Sequence, residues 1–78
     1  MTDDQVRLFK DILARYSSVD AEDISDEMRF REDLQMSSLD FMTLLGDLED
    51  EFDIEFEDIE DVKLYTVGEA TEYLGGYL

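Results

Sequence analysis

The chain is 78 residues long and carries 23 acidic against six basic side chains, which gives a formal net charge of −17. It contains no cysteine and no histidine, so disulfides, thiolate or imidazole metal sites, and catalysis by either residue are excluded. The charge opposes binding to nucleic acid or to anionic membranes and favours basic protein surfaces as partners.

The composition nevertheless predicts a folded protein. Hydrophobic residues make up 44% of the chain and aromatic residues 12%, enough for a core whose stability is lowered by self-repulsion. We expect residues 1–78 to form one small domain, monomeric because its like charges repel. No apolar run approaches the roughly 20 residues of a membrane span, and no signal peptide is recognisable, which predicts a cytoplasmic protein.

The first predicted element is a helix over residues 3–16. Its apolar side chains recur at helical spacing: Val6, Phe9, Ile12, Leu13 and Tyr16. Residues 17–37 then form a predicted long loop, which we expect to lie across the core. Its apolar residues recur without a clean period: Val19, Ile24, Met28, Phe30 and Leu34. A loop of this length in a compact domain is often functional.

A second helix is predicted to begin at Ser37, which can cap it together with Asp40 in a capping box. The core-facing stripe is predicted to be Phe41, Leu45, Leu48 and Phe52, widened by Met42 and Leu44. The opposite face carries acidic residues: Asp40, Asp47, Asp50 and Glu51. Gly46 lies inside this helix and costs roughly 1 kcal/mol relative to alanine.

The rest of the chain predicts two more helices. Residues Glu57 to Val62 can form a short one, and a Thr66–Glu69 capping box begins the last, which Gly75-Gly76 ends. Residues 52–56 alternate like a strand, but a lone strand would have no partner. The predicted fold is therefore all-α, a small four-helix bundle of three longer helices plus one short third helix, with a long loop between the first and second helices.

Two segments carry a longer pattern. Residues 30–40 read Phe-Arg-Glu-Asp-Leu-Gln-Met-Ser-Ser-Leu-Asp, and residues 48–55 read Leu-Glu-Asp-Glu-Phe-Asp-Ile-Glu. Together they resemble the acyl carrier protein family, which has a Phe-x-x-Asp-Leu approach, a serine followed by Leu-Asp, and a Leu-Glu-acidic-acidic-Phe run. The start of the last predicted helix, Thr66 to Ala70, is also similar to that family. The resemblance extends from about Val6 to Leu74.

This resemblance implies that Ser38 carries 4′-phosphopantetheine as a phosphodiester, taken from coenzyme A. The first turn of a helix also favours an attached phosphate, because its N–H groups are unpaired. The local sequence alone is equally consistent with a simpler interpretation, in which Ser37 and Ser38 are both ordinary serines at a helix start and neither is modified. The family usually has aspartate before the modified serine, and this chain has Ser37 there, with Gln35-Met36 where a glycine and a small residue are common. Ser37 is a minor candidate for attachment, and Leu39-Asp40 set the register in favour of Ser38.

Between Asp47 and Asp61, ten of fifteen residues are acidic and none is basic. Such a run is usually a solvated surface, and it lacks the pattern of a calcium loop or of a catalytic carboxylate pair. The resemblance implies a docking face for basic patches on enzymes, with Asp40, Asp47 and Glu51 as partner contacts. Leu39 and Met36 are expected to be exposed apolar anchors beside the arm. Charge in this role gives fast encounter and quick release.

The resemblance also implies that the core can shelter an acyl chain. Six apolar residues are candidates for contact with that acyl chain: Met42, Leu44, Ile54, Phe56, Ile59 and Leu64. The sequence does not distinguish residues that would line a space for the chain from ordinary core residues.

The implied function is a non-catalytic carrier that moves acyl thioesters between enzymes of fatty-acid, polyketide or specialised lipid biosynthesis. Ser37 and Gly46 favour a specialised carrier. The implied partners are a phosphopantetheinyl transferase and acyl-loading, elongating and acyl-transfer enzymes. One alternative is a carrier of aminoacyl groups, such as a D-alanyl or peptidyl carrier. The other is an acidic protein that mimics nucleic acid or inhibits a basic enzyme.

Overall fold

The computed structural model describes residues 1–56 and 64–78. Three α-helices lie in these residues: α1 (Asp3–Tyr16), α2 (Ser38–Phe52) and α3 (Val67–Gly75), with one 3-10 turn at Ala21–Asp23. The described residues contain no strand, only an isolated antiparallel bridge between Arg29 and Thr66. The prediction of a small helical bundle is confirmed. The predicted short helix from Glu57 to Val62, including Ile59, lies outside the described residues.

Each α-helix begins with a capping box, in which the N-cap hydroxyl and the side chain three residues later bond to each other's backbone N–H. The boxes at Ser37–Asp40 and Thr66–Glu69 confirm the predicted starts of α2 and α3. A third box at Thr2–Gln5, which the sequence reading missed, begins α1. The positions of all three helix starts are therefore encoded locally.

The helix ends depart from the sequence expectation. Gly75-Gly76 does end α3, but Gly76 has a right-handed φ of −66°, so this is not the left-handed glycine cap that the pair suggested. The left-handed cap occurs instead on α2, where Asp53 has φ 54° and donates its N–H to the Glu49 carbonyl. Aspartate tolerates this conformation better than most residues.

The core lies between the three helices and the loop of residues 17–37. The helices bury Phe9, Ile12 and Leu13 from α1, Leu44, Leu45 and Leu48 from α2, and Val67, Ala70 and Leu74 from α3. The loop adds Ile24, Phe30, Leu34 and Met36, while Val19 and Met28 are partly buried. The predicted packing of the loop across the core is therefore confirmed.

Backbone hydrogen bonds tie the same loop to the start of α3. The N–H of Phe30 donates to the Tyr65 carbonyl at 3.1 Å, that of Val67 to Met28 at 2.9 Å, and that of Gly68 to Asp26 at 2.8 Å. These bonds satisfy polar groups that packing would otherwise bury unpaired. They hold the loop in place on the side of the molecule where it leads into α2.

Two side-chain contacts join α1 to the acidic side of α2. The Tyr16 hydroxyl donates to Asp47 Oδ2, and Arg15 Nη1 lies 3.8 Å from Glu51 Oε1. The hydrogen bond to Asp47 raises the pKa of Tyr16 above its usual value of 10.0, because the carboxylate stabilises the protonated phenol.

No helix in residues 1–56 and 64–78 has both the length and the apolar character that crossing a bilayer requires.

Gly46 lies in the interior of α2 with its surface open, and a Cβ added there would meet nothing within 4 Å. Because alanine loses less backbone entropy in a helix, Gly46→Ala is expected to raise stability by about 0.5–1 kcal/mol, or about 2–8 °C in Tm. Thermal unfolding followed by circular dichroism measures this. Gly68→Ala is the control that should lose stability, because its Cβ would lie 3.2 Å from both Asp26 Cβ and the Asp26 carbonyl. A lower Tm for Gly46→Ala would contradict the prediction.

Candidate attachment site and docking surface

Two adjacent serines at the start of α2 have different roles. The Ser37 hydroxyl accepts from the Asp40 N–H at 3.1 Å, and the Ser37 N–H donates to Asp40 Oδ2 at 3.2 Å. Ser38 is the first residue of the helix, is exposed, and takes no part in the cap. Only one of the two serines is therefore explained as a helix cap, and the Ser38 hydroxyl faces solvent.

An arginine approaches this exposed hydroxyl. Arg31 Nη2 donates to Ser38 Oγ at 2.8 Å. The neighbouring Arg29 is engaged elsewhere, since its Nη1 donates to both carboxylate oxygens of Glu32 at 3.0 and 3.2 Å. The sequence reading did not single out Arg31. The available signal was a cation seven residues before the serine in a strongly acidic segment.

The turn that brings Arg31 to Ser38 depends on a left-handed residue. Gln35 has φ 56°, a conformation that glycine adopts without penalty and other residues adopt at a cost of roughly 1 kcal/mol. After it, the Met36 N–H donates to the Phe30 carbonyl at 2.9 Å. At the other end of the turn, the Arg29 N–H donates to Asp33 Oδ2 at 2.8 Å. The segment therefore folds back on itself immediately before α2.

A groove of about 700 Å³ lies beside Ser38. Its lining includes Ser38, Arg31, Phe41, Met42, Leu64 and Tyr65. A second space, inside the core, measures only about 10 Å³ and is bordered by Leu44, Phe56 and Leu64. That volume holds at most about one water molecule, so the described core is closed. Of the six candidate lining residues, Met42 and Leu64 border the groove, and Ile54 packs against the core.

Comparison with known proteins shows which family the chain belongs to. Residues 7–74 match a protein-family model described as "Phosphopantetheine attachment site". The chain is 39% identical over 75 residues to an acyl carrier protein of Lactobacillus johnsonii, covering 95% of this chain and 94% of the relative. The chain belongs to the acyl carrier protein family. A solved acyl carrier protein structure from Enterococcus faecalis is 28% identical, covers 100% of both chains and has a TM-score of 0.79.

The resemblance drawn from the sequence is thus confirmed, together with phosphopantetheine as the cofactor of this acyl carrier protein. The residues at the start of α2 fit the phosphate of such an arm. They offer an exposed hydroxyl at Ser38 and the guanidinium of Arg31. The N–H groups of Ser38 and Leu39 have no acceptor in residues 1–56 and 64–78, and helix-start N–H groups suit a phosphate oxygen.

The apolar residues predicted to lie exposed beside the arm separate into two groups. Leu39 is 77% exposed, as expected. Met36 is only 3% exposed, so the prediction that it is a surface anchor is wrong. The left-handed turn at Gln35 and the Met36 hydrogen bond to Phe30 direct this residue into the core. Met42, expected to widen the core stripe, is instead 55% exposed, three residues after Leu39 on the outer face of α2.

The acidic residues predicted to contact partners lie on the α1 side of α2. Asp40 is half-buried in the capping box, and Asp47 is half-buried beneath the Tyr16 hydroxyl. Glu51 is exposed, near Arg15. Other exposed positions of α2 are Leu39, Met42, Thr43, Gly46 and Asp50. The surface beside Ser38 is therefore apolar at its centre, with the three predicted acids along one edge.

Proposed function

We propose that this acyl carrier protein is a non-catalytic carrier that bears its phosphopantetheine on Ser38. The observation that supports this most directly is that the two serines differ in role: the Ser37 hydroxyl caps α2, whereas the Ser38 hydroxyl is exposed and takes no part in the cap. When attached, the arm supplies a thiol, which a chain without cysteine lacks, and that thiol holds an acyl group as a thioester.

The Ser38 hydroxyl is suited to attachment because it is exposed, has no role in the cap of α2, and donates its proton to no acceptor in residues 1–56 and 64–78. In the transfer, that proton goes to a base of the transferase. The Ser38 oxygen then bonds to the phosphorus of coenzyme A as the pyrophosphate P–O bond breaks, which releases adenosine 3′,5′-bisphosphate. The product is a phosphodiester on an exposed helix start, where a docked enzyme can reach the arm.

We further propose that Leu39, Asp40, Asp47 and Glu51 contact the partner enzymes, with Met42 added and Met36 removed because it is buried. The partners are a phosphopantetheinyl transferase and acyl-loading, elongating and acyl-transfer enzymes of fatty-acid, polyketide or specialised lipid biosynthesis. An apolar centre flanked by carboxylates matches an enzyme surface with an apolar patch and basic residues. The proposal includes a monomer in the cytoplasm, since its charge disfavours self-association and anionic membrane surfaces.

Intact-mass measurement tests the attachment. The unmodified protein, incubated with coenzyme A and a phosphopantetheinyl transferase, should gain one phosphopantetheinyl group per chain. The absence of any adduct would contradict the proposal, and protein from its native source without an adduct would favour the acidic inhibitor. Loading of the modified protein by acyl-activating against aminoacyl-adenylating enzymes then distinguishes an acyl from an aminoacyl carrier.

Kinetics of the same reaction test the docking surface. The double variant Asp47→Asn/Glu51→Gln is expected to lower kcat/KM for attachment by about 3- to 10-fold at low salt, because edge charges steer encounter. The control Glu22→Gln/Asp23→Asn removes two charges from the exposed 3-10 turn and should change kcat/KM less than about 2-fold. Adding about 0.5 M salt should erase the difference. Equal effects of the two double variants would contradict this location of the surface.

A further inference from the structure

The guanidinium of Arg31 has an unusual partner for a protein with this charge. Among the residues that the structure describes, Arg31 makes no ion pair, and its hydrogen bond goes to the neutral hydroxyl of Ser38. Arg29, two residues earlier, is paired with Glu32 at 3.0 Å. Because Arg31 has no carboxylate partner among residues 1–56 and 64–78, its charge is available to another anion.

An anion attached to Ser38 would appear at this place. The non-bridging oxygens of a phosphodiester lie two bonds beyond Ser38 Oγ, which Arg31 Nη2 already contacts at 2.8 Å. Arginine binds phosphate oxygens with two parallel N–H groups, and such charge-assisted bonds are stronger than a bond to a neutral hydroxyl. The turn held by Met36 and Phe30 fixes Arg31 near this position before attachment.

We propose that Arg31 binds the phosphodiester of the arm, an inference that rests on attachment at Ser38. The contact exchanges a hydrogen bond to a hydroxyl for an ion pair with the phosphate. It offsets the cost of adding one more negative charge to a chain of net charge −17. Because Arg31 also borders the groove beside Ser38, the bound phosphate starts the arm at that groove.

Thermal unfolding of unmodified and fully modified protein tests the contact. At about 20 mM salt, attachment should raise the Tm of the wild type by about 2–5 °C relative to its effect on the Tm of Arg31→Gln. About 0.5 M salt should remove most of this difference, because the pair is exposed. Arg31→Lys should retain part of it, since lysine keeps the charge but not the planar fork. Arg7→Gln, an exposed position on α1, removes the same charge and should behave as the wild type.

A second measurement is the ³¹P resonance of the modified protein. It should shift between the wild type and Arg31→Gln and stay unchanged in Arg7→Gln. Intact mass first establishes complete attachment in every variant. If the wild type gains no adduct, the proposed function and this inference both fail. If all variants are fully modified but Arg31→Gln matches Arg7→Gln in Tm change and ³¹P shift, the inference alone is overturned.

Discussion

Replacing Ser38 by alanine is expected to abolish attachment of phosphopantetheine, whereas Ser37→Ala should still gain one complete adduct. The reason is that the Ser38 oxygen is the proposed nucleophile and no neighbouring hydroxyl is free to replace it. Ser37 Oγ is held by the Asp40 N–H as the cap of α2. Intact-mass spectrometry after incubation with coenzyme A and a phosphopantetheinyl transferase reads both results directly.

Ser37→Ala also serves as the control for folding at the helix start. It removes the cap hydrogen bond and should cost about 1 kcal/mol of stability without loss of the adduct. Ser38→Ala removes no hydrogen bond of the cap and should keep a near-wild-type Tm. An adduct that persists on Ser38→Ala and disappears on Ser37→Ala would place the attachment one residue earlier. That outcome would require the cap of α2 to be broken in the modified protein.

Leu44→Ala is expected to lose about 2–5 kcal/mol of stability, a large fraction of the total. Leu44 is 1% exposed and packs in the closed core, so its truncation removes buried apolar area and leaves a cavity. A domain of this size has a total stability of only about 4–12 kcal/mol. Urea unfolding followed by circular dichroism measures the change as a lower midpoint at an unchanged slope.

Leu39→Ala is the matched control, because it makes the same chemical change in the same helix. Leu39 is 77% exposed, so the loss should stay within about 0.5 kcal/mol. The same variant should slow attachment if Leu39 contacts the transferase, which separates its stability effect from its docking effect. Equal destabilisation by Leu44→Ala and Leu39→Ala would show that α2 does not bury Leu44 and expose Leu39 as the structure has them.

What the sequence predicted correctly depends on short-range patterns. The starts of α2 and α3 follow from side chains three residues apart, Ser37 with Asp40 and Thr66 with Glu69. The core faces of the helices follow from apolar spacing. The approximate place of the loop also follows, since its apolar residues could not remain in water without loss of stability.

The errors concern residues whose environment is set by contacts distant in sequence or by one backbone angle. Met36 was expected at the surface, but the left-handed φ of Gln35 turns it inward. The signal for this conformation was that Gln35 stands where the family commonly has glycine, the residue that adopts positive φ without penalty. Met42, expected in the core stripe, is 55% exposed and borders the groove beside Ser38. The contact of Arg31 with Ser38 likewise depends on that turn. For the candidate site, the sequence therefore predicted the serine, and the fold added the contact with Arg31.

The bond between Tyr16 and Asp47 links the stability of the protein to pH in the alkaline range. A phenol whose pKa is raised in the folded state contributes stability that is fully present below pH 10 and is lost as the pH rises through that raised pKa. With no histidine in the chain, no side chain has an ordinary pKa between about 5 and 8. The Tyr16 phenol thus stays protonated across the neutral range, and the contact that it makes between α1 and α2 is kept there. Ionic strength is therefore the solution variable to which the proposed docking surface is expected to respond.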